Sequence, residues 1–166
     1  MGLFDKLFSK KDAQQNGFRI YSPVSGTTLP LTQVPDPTFS EGSLGKGIAV
    51  MPTEGKVYAP CDAAVDLMFP TGHAVNLFAD CGAEILVHLG LETMGLGEAC
   101  FKAHVQNGDR VKKGDLLIEM NLDMVREAGL NPVTLVVVCN SEDFTAVTPT
   151  EEQSVSQGDV LLMLKK

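Results

Sequence analysis

The chain has 166 residues, 44% of them hydrophobic and 20% charged, which marks a globular protein long enough for one domain with a proper core. Its formal net charge of −8 excludes the broad cationic surface that nucleic acid requires, and argues against gathering anionic substrates by bulk electrostatics. No apolar run approaches a membrane span, and Cys61, Cys81, Cys100 and Cys139 form no C-x-x-C pair, so the expectation is a cytoplasmic protein whose reduced thiols pack as small core residues.

The first eleven residues, MGLFDKLFSKK, have their own character. Leu3, Phe4, Leu7 and Phe8 fall on one side of a helix, with Lys6, Lys10 and Lys11 mostly elsewhere. There is no signal-peptide pattern. So short a helix is marginal in water, but an anionic membrane surface would stabilise it; the competing reading is a frayed tail. DAQQNG then reads as a linker, giving a tail over 1–16 and a single domain over 17–166.

From Phe18 the chain reads as short strands divided by turn signals. The predicted strands are 18–21, 27–31, 48–51, 56–58, 64–69, 74–79, 85–89, 116–120, 133–139 and 160–164. A helix is predicted over 122–128, closed by Gly129. This density of short strands indicates an all-β sandwich or barrel with one or two short helices. VKKGDLLIEM from Val111 echoes VSQGDVLLML from Val155. The echo fits two pseudo-symmetric hairpin units, or one common turn used twice.

One residue disrupts the pattern. EILVHLG, residues 84–90, would be an ordinary buried strand without His88. Alone, such a histidine is more often a hydrogen-bonded core residue than a functional one. Fifteen residues upstream lies His73, in FPTGHAV. Taking Cys81 and Gly82 as a two-residue hairpin loop sets Val75 opposite His88 and His73 opposite Gly90, making the histidines diagonal neighbours on one face. Two converging imidazoles can bind a metal with further ligands, act as acid and base, or serve as nucleophile and hydrogen-bond donor. Thr71 adds a hydroxyl in the same turn, and Gly72 and Gly90 would admit a bulky group close to the backbone. No H-x-H or H-E-x-x-H spacing supports a permanent zinc site.

These residues resemble a family. SPVSG at 22–26, PDPTFSEGSLGKGIAVMPTEGKVYAP at 35–60, FPTGHAV at 69–75, EILVHLG at 84–90, GDRVKKGD at 108–115 and NPVTLVVVCN at 131–140 are similar to the glucose-type enzyme IIA component of the bacterial phosphoenolpyruvate-dependent sugar phosphotransferase system. MGLFDKL also looks like the start of its freestanding members. The resemblance implies an antiparallel β-sandwich of barrel-sandwich type with a shallow site. It implies that His88 is a phosphohistidine, accepting a phosphoryl group from HPr and passing it to a cysteine on the IIB domain of a sugar permease. His73 would hydrogen-bond that group and be needed for onward transfer, and Thr71 would orient the pair. By the same match Phe39, Leu44, Phe69 and Met94 form an apolar docking rim, with Asp36 and Glu92 as acidic residues beside it; for each, ordinary core packing or plain solvation is the competing reading. No cofactor is required. In unphosphorylated form the family also binds metabolic enzymes and permeases, where His73 and His88 could hold a transient zinc ion with a partner's carboxylate.

The chain departs from the family at Glu92, usually Asp, at Ala63, usually Gly, in GLGEACFK, and at Ser43, often apolar. These departures bear on partner preference. His104 matches no family histidine and reads as surface. A biotinyl or lipoyl carrier would need an exposed hairpin lysine flanked by methionines, which is absent; a β-sandwich zinc peptidase lacks its ligand spacing; a purely regulatory binder is a third reading.

Overall fold

The computed structural model describes residues 17–166. The expected tail, 1–16, and the membrane contact assigned to residues 1–11 lie outside the described residues. Fourteen strands follow in order: β1 (Gly17–Tyr21), β2 (Gly26–Pro30), β3 (Lys46–Pro52), β4 (Lys56–Tyr58), β5 (Ala63–Met68), β6 (Ala74–Ala79), β7 (Glu84–Leu89), β8 (Phe101–Ala103), β9 (Arg110–Val111), β10 (Leu116–Met120), β11 (Thr134–Val138), β12 (Ala146–Pro149), β13 (Ser154–Val155) and β14 (Val160–Lys165). Two short helices interrupt them, α1 (Pro37–Ser40) and α2 (Leu122–Glu127), capped by the side chains of Asp36 and Asn121. The predicted strands are all present, within two residues at each end. Those missed, β8, β9, β12 and β13, are two to four residues long, too short to show a period.

Every pairing is antiparallel. One eight-stranded sheet runs β13-β2-β3-β11-β7-β6-β5-β9, and two three-stranded sheets run β1-β14-β12 and β4-β10-β8. The main core lies between them: Val50, Leu77, Ile85, Val87 and Val136 of the large sheet meet Ile20, Val57, Ile118, Leu162 and Leu164 of the small ones. This is a sandwich, as expected, without barrel closure.

The sequence echo has a topological meaning. β9 and β13 are the two edges of the large sheet, while β10 and β14 are the central strands of the two small ones. Each echo unit thus supplies an edge to one layer and a centre to the other. Its turn is built the same way in both copies. Asp115 accepts from the Lys112 N–H at 2.9 Å, and Asp159 from the Ser156 N–H at 2.8 Å. Asp109 repeats the device with the Gln106 N–H at 2.9 Å. The turn is therefore used three times, and the pseudo-symmetry belongs to the longer units.

The large sheet is covered on its other face too, which sets the site. Along β11, Val136 and Val138 face the main core, while Leu135 and Val137 join Leu31, Val34, Phe39, Ala74, Leu86 and Leu91 in a second apolar cluster. Burial on both faces explains why 135–139 reads as an unbroken apolar run. The segment 31–44, carrying α1, forms the lid of this second cluster.

Candidate functional site

β7 alternates as a strand must. Ile85, Val87 and Leu89 point into the main core; Leu86 and His88 point the other way. His88 stands between Ala74 of β6 and Leu135 of β11 in the register. The disruptive histidine is thus on the face under α1, at the edge of the second cluster.

The expected register is corrected by one residue. Ala74, not Val75, faces His88. The β6–β7 loop has three residues, Asp80 to Gly82: Ala79 N–H donates to Ala83 O at 2.8 Å, with Gly82 at φ +95°. A glycine in the left-handed region closes such a loop, and the sequence signal was misread as a two-residue turn. A regular strand would then send His73 to the face of Leu89, since Leu89 N–H donates to His73 O at 2.8 Å. His73 nonetheless meets His88, because it lies just outside β6, on the corner made by Gly72 at φ +77°. The ring centroids are 5.1 Å apart and nearly perpendicular, at 83°.

The glycine flanks also have a packing reason. A Cβ on Gly72 would meet Phe101 Cβ at 2.9 Å, and one on Gly90 would run into the Thr93 side chain and lie 3.0 Å from Asn131 O. Both glycines serve the packing behind the histidines.

Hydrogen bonds fix the two rings. The His88 Nδ1–H donates to Gly90 O at 2.9 Å. A carbonyl only accepts, so Nδ1 carries the proton and Nε2 of the neutral ring keeps its lone pair. Burial above all, then the neighbouring His73, lowers the His88 pKa to about 4, against smaller opposing effects of the Gly90 carbonyl and Asp36. The ring is therefore neutral near pH 7. His73 is 6% exposed, and burial lowers its pKa too. Its Nδ1 is hydrogen-bonded to the Thr71 hydroxyl.

Aromatic rings brace the pair. Phe39 contacts His88 at 5.1 Å between centroids, and Phe69 contacts His73 at 5.3 Å. Phe101 lies 6.5 Å from His73 on its inner side. Phe101 and the Gly90 carbonyl were missed as site groups; nothing in a sequence marks a main-chain acceptor or a ring brought in from another sheet.

The structure thus brings together His73, His88, Thr71, Phe39 and Phe69. Leu44 and Phe69 pack, half-buried, on the second cluster. Phe39 is buried, and Asp36 caps its helix by accepting from Thr38 N–H at 2.9 Å, so both have structural duties. Glu92 is exposed and adopts φ +58°, the one non-glycine in the left-handed region among the described residues. Met94 is 60% exposed, unusual for so apolar a side chain. His104 pairs with Glu119 at 2.7 Å on the surface, away from this site. A groove of about 910 Å³ runs along β2 and β3 beyond Phe39, and neither histidine lines it. Among the described residues no three or more potential metal ligands cluster, so the two imidazoles would need a third donor from elsewhere.

This arrangement has a counterpart in known proteins. Residues 18–144 match the family described as phosphoenolpyruvate-dependent sugar phosphotransferase system, EIIA 1. The chain belongs to that family. It is a glucose-type EIIA component, and so a phosphocarrier in sugar phosphotransfer. It is 35% identical over 157 residues to a glucose-specific EIIA component of Staphylococcus aureus, covering 95% of both chains. It is 41% identical over 147 residues to a β-glucoside-specific EIIBCA component of Halalkalibacterium halodurans, covering 89% of this chain but only 23% of that one. It therefore spans about a quarter of the length of such relatives. The glucose permease IIA of Mycoplasma capricolum superposes with a TM-score of 0.78 at 30% identity, over 90% of this chain and 96% of that one. Among the described residues no helix is long and apolar enough to cross a membrane.

Proposed function

We propose that His88 Nε2 is the atom that carries the phosphoryl group. The supporting observation is the His88 Nδ1–H bond to Gly90 O, which leaves Nε2 as the lone-pair nitrogen beside His73. In the first step Nε2 attacks the phosphorus of phospho-HPr. The bond from phosphorus to HPr breaks as the bond to Nε2 forms, and HPr leaves with its electron pair. In the second step a cysteine thiolate of a IIB domain attacks the same phosphorus, and His88 recovers its lone pair. No metal or cofactor is needed, because such transfers depend on positioning and charge stabilisation.

His73 supports both steps. When the Thr71 hydroxyl donates to Nδ1, the His73 Nε2 carries the proton and can donate it to a phosphoryl oxygen. Thr71 is thus a positioning residue. The apolar rim of Leu44, Phe69 and Met94, backed from below by the buried Phe39, seats the protein partner and excludes water, while Asp36 and Glu92 meet basic residues on it. The IIB partner is supported by relatives whose names join A to B and C components. The work is placed in the cytoplasm, and the sugar is that of the cognate permease. Unphosphorylated, the same face binds metabolic enzymes or permeases, with a partner carboxylate completing a transient zinc site on the two histidines.

The test is intact-mass spectrometry after incubation with phosphoenolpyruvate, enzyme I and HPr. One acid-labile phosphoryl group is expected on wild type and His73→Gln and none on His88→Ala. A wild-type protein that takes up no phosphoryl group sinks the proposal.

A further inference from the structure

A second pair of reactive side chains converges at the opposite end of the β6–β7 hairpin. β5 and β6 pair Ala63 with Ala79. Beyond the strand ends, Asp80 N–H still donates to Asp62 O at 3.1 Å. The same register carried one residue further sets Cys61 against Cys81. Both cysteines line one surface cavity of about 660 Å³, together with Tyr21 and Lys113. The carboxylates between them are occupied. Asp80 takes both oxygens to the Arg110 guanidinium at 2.8 and 2.9 Å, and Asp62 accepts from Lys113 N–H at 2.9 Å. These bonds tie both segments to residues 110–113 and leave two free thiols lining the cavity.

We propose that Cys61 and Cys81 are a reversible thiol–disulfide site, oxidised by a peroxide or a small-molecule disulfide. Facing residues in an antiparallel ladder lie about 4.5–5.5 Å apart at Cα, within the span a disulfide bridges. Cys81 is half-buried and opens onto the cavity, whereas Cys61 is buried. Burial, with the neighbouring Cys81, pushes the Cys61 thiol up to about 12, so the first attack comes from Cys81. With hydrogen peroxide, Cys81 sulfur bonds one oxygen and the other leaves as water. Cys61 sulfur then attacks Cys81 sulfur, the S–S bond forms, and the second oxygen departs as water with the Cys61 proton. Two thiols are oxidised and one peroxide is reduced. The bond staples the start of β5 to the hairpin turn, on the hairpin that carries His88.

Peroxide treatment of the full chain followed by non-reducing peptide mapping tests this. The expected product links the Cys61 and Cys81 peptides, lacks two hydrogens, leaves Cys100 and Cys139 open to alkylation, and reverts with dithiothreitol. The thermal midpoint is expected to rise by roughly 5–10 °C on oxidation and to fall back on reduction. Cys81→Ser, at the half-exposed position, should show neither effect; Cys61→Ser is a second control, and the wild-type map stands if that variant fails to fold. Sulfinic acid on Cys81 with Cys61 still alkylatable, a disulfide joining two copies, or no modification at all would each overturn the proposal.

Discussion

At the scale of single residues, the chemistry turns on what the protein does to His88. Burial and His73 favour the neutral ring down to about pH 4. Phosphoryl acceptance should therefore stay level as pH falls from 7 towards 5, and fail only nearer 4; a fall centred on 6.5 in stopped-flow transfer kinetics would contradict this. Stability moves with the same group. The unfolded chain takes up a proton near 6.5, while the folded one resists until about 4, so protons favour unfolding and stability is lost as pH falls through that window. The loss is about 2–3 kcal/mol once residual solvent contact is allowed for, and denaturant melts of His88→Gln should lack it. His73→Gln should keep acceptance yet slow onward transfer to IIB by roughly a hundredfold, the scale of one lost donor to a developing charge. The importance of both histidines was legible in the sequence because the two imidazoles flank one hairpin, near the open ends of its two strands. The Gly90 carbonyl that selects the tautomer was not, since no side chain advertises it.

Among the elements, the β6–β7 hairpin positions both histidines. Its strands were legible from alternation, but its register was not, because a three-residue loop and a two-residue loop share the same Cys-Gly signal. The convergence survived that error only through the corner at Gly72. Gly72→Ala should demonstrate this: the new methyl group meets both an unfavourable φ and the Phe101 Cβ. It should destabilise by about 2–4 kcal/mol and depress transfer along with stability, measured by chemical melts and phosphorylation rate together. Glu92 is the opposite case. It holds φ +58° without needing its side chain for packing, so Glu92→Gly should stabilise by roughly 1 kcal/mol. If Glu92 also meets a basic residue of the partner, the same variant will bind phospho-HPr more weakly at low salt.

The whole molecule separates stability from docking by using both faces of one sheet. The main core between the sheets holds the fold together; the second cluster under α1 holds the site. Leu77→Ala should therefore cost about 2–5 kcal/mol in denaturant melts. Phe69→Ala, at a half-buried rim position, should cost less in the melt than Leu77→Ala yet raise KM for phospho-HPr. The sandwich itself was legible because its turns are dense and its strands short, and the echo of Val-x-x-Gly-Asp correctly hinted at repeated units. The layering was not legible: β9 and β13 are two residues each, and only their places at the two edges of the large sheet reveal what the repeat builds.

The transfer chemistry rests on a single atom, His88 Nε2, and NMR can identify it directly. Nitrogen and phosphorus NMR of the phosphorylated, ¹⁵N-histidine-labelled protein distinguishes the two ring nitrogens of each histidine. The account predicts a phosphorus-coupled Nε2 on His88, with Nδ1 still protonated towards Gly90 O. Phosphorus on His88 Nδ1, or on His73, would contradict it.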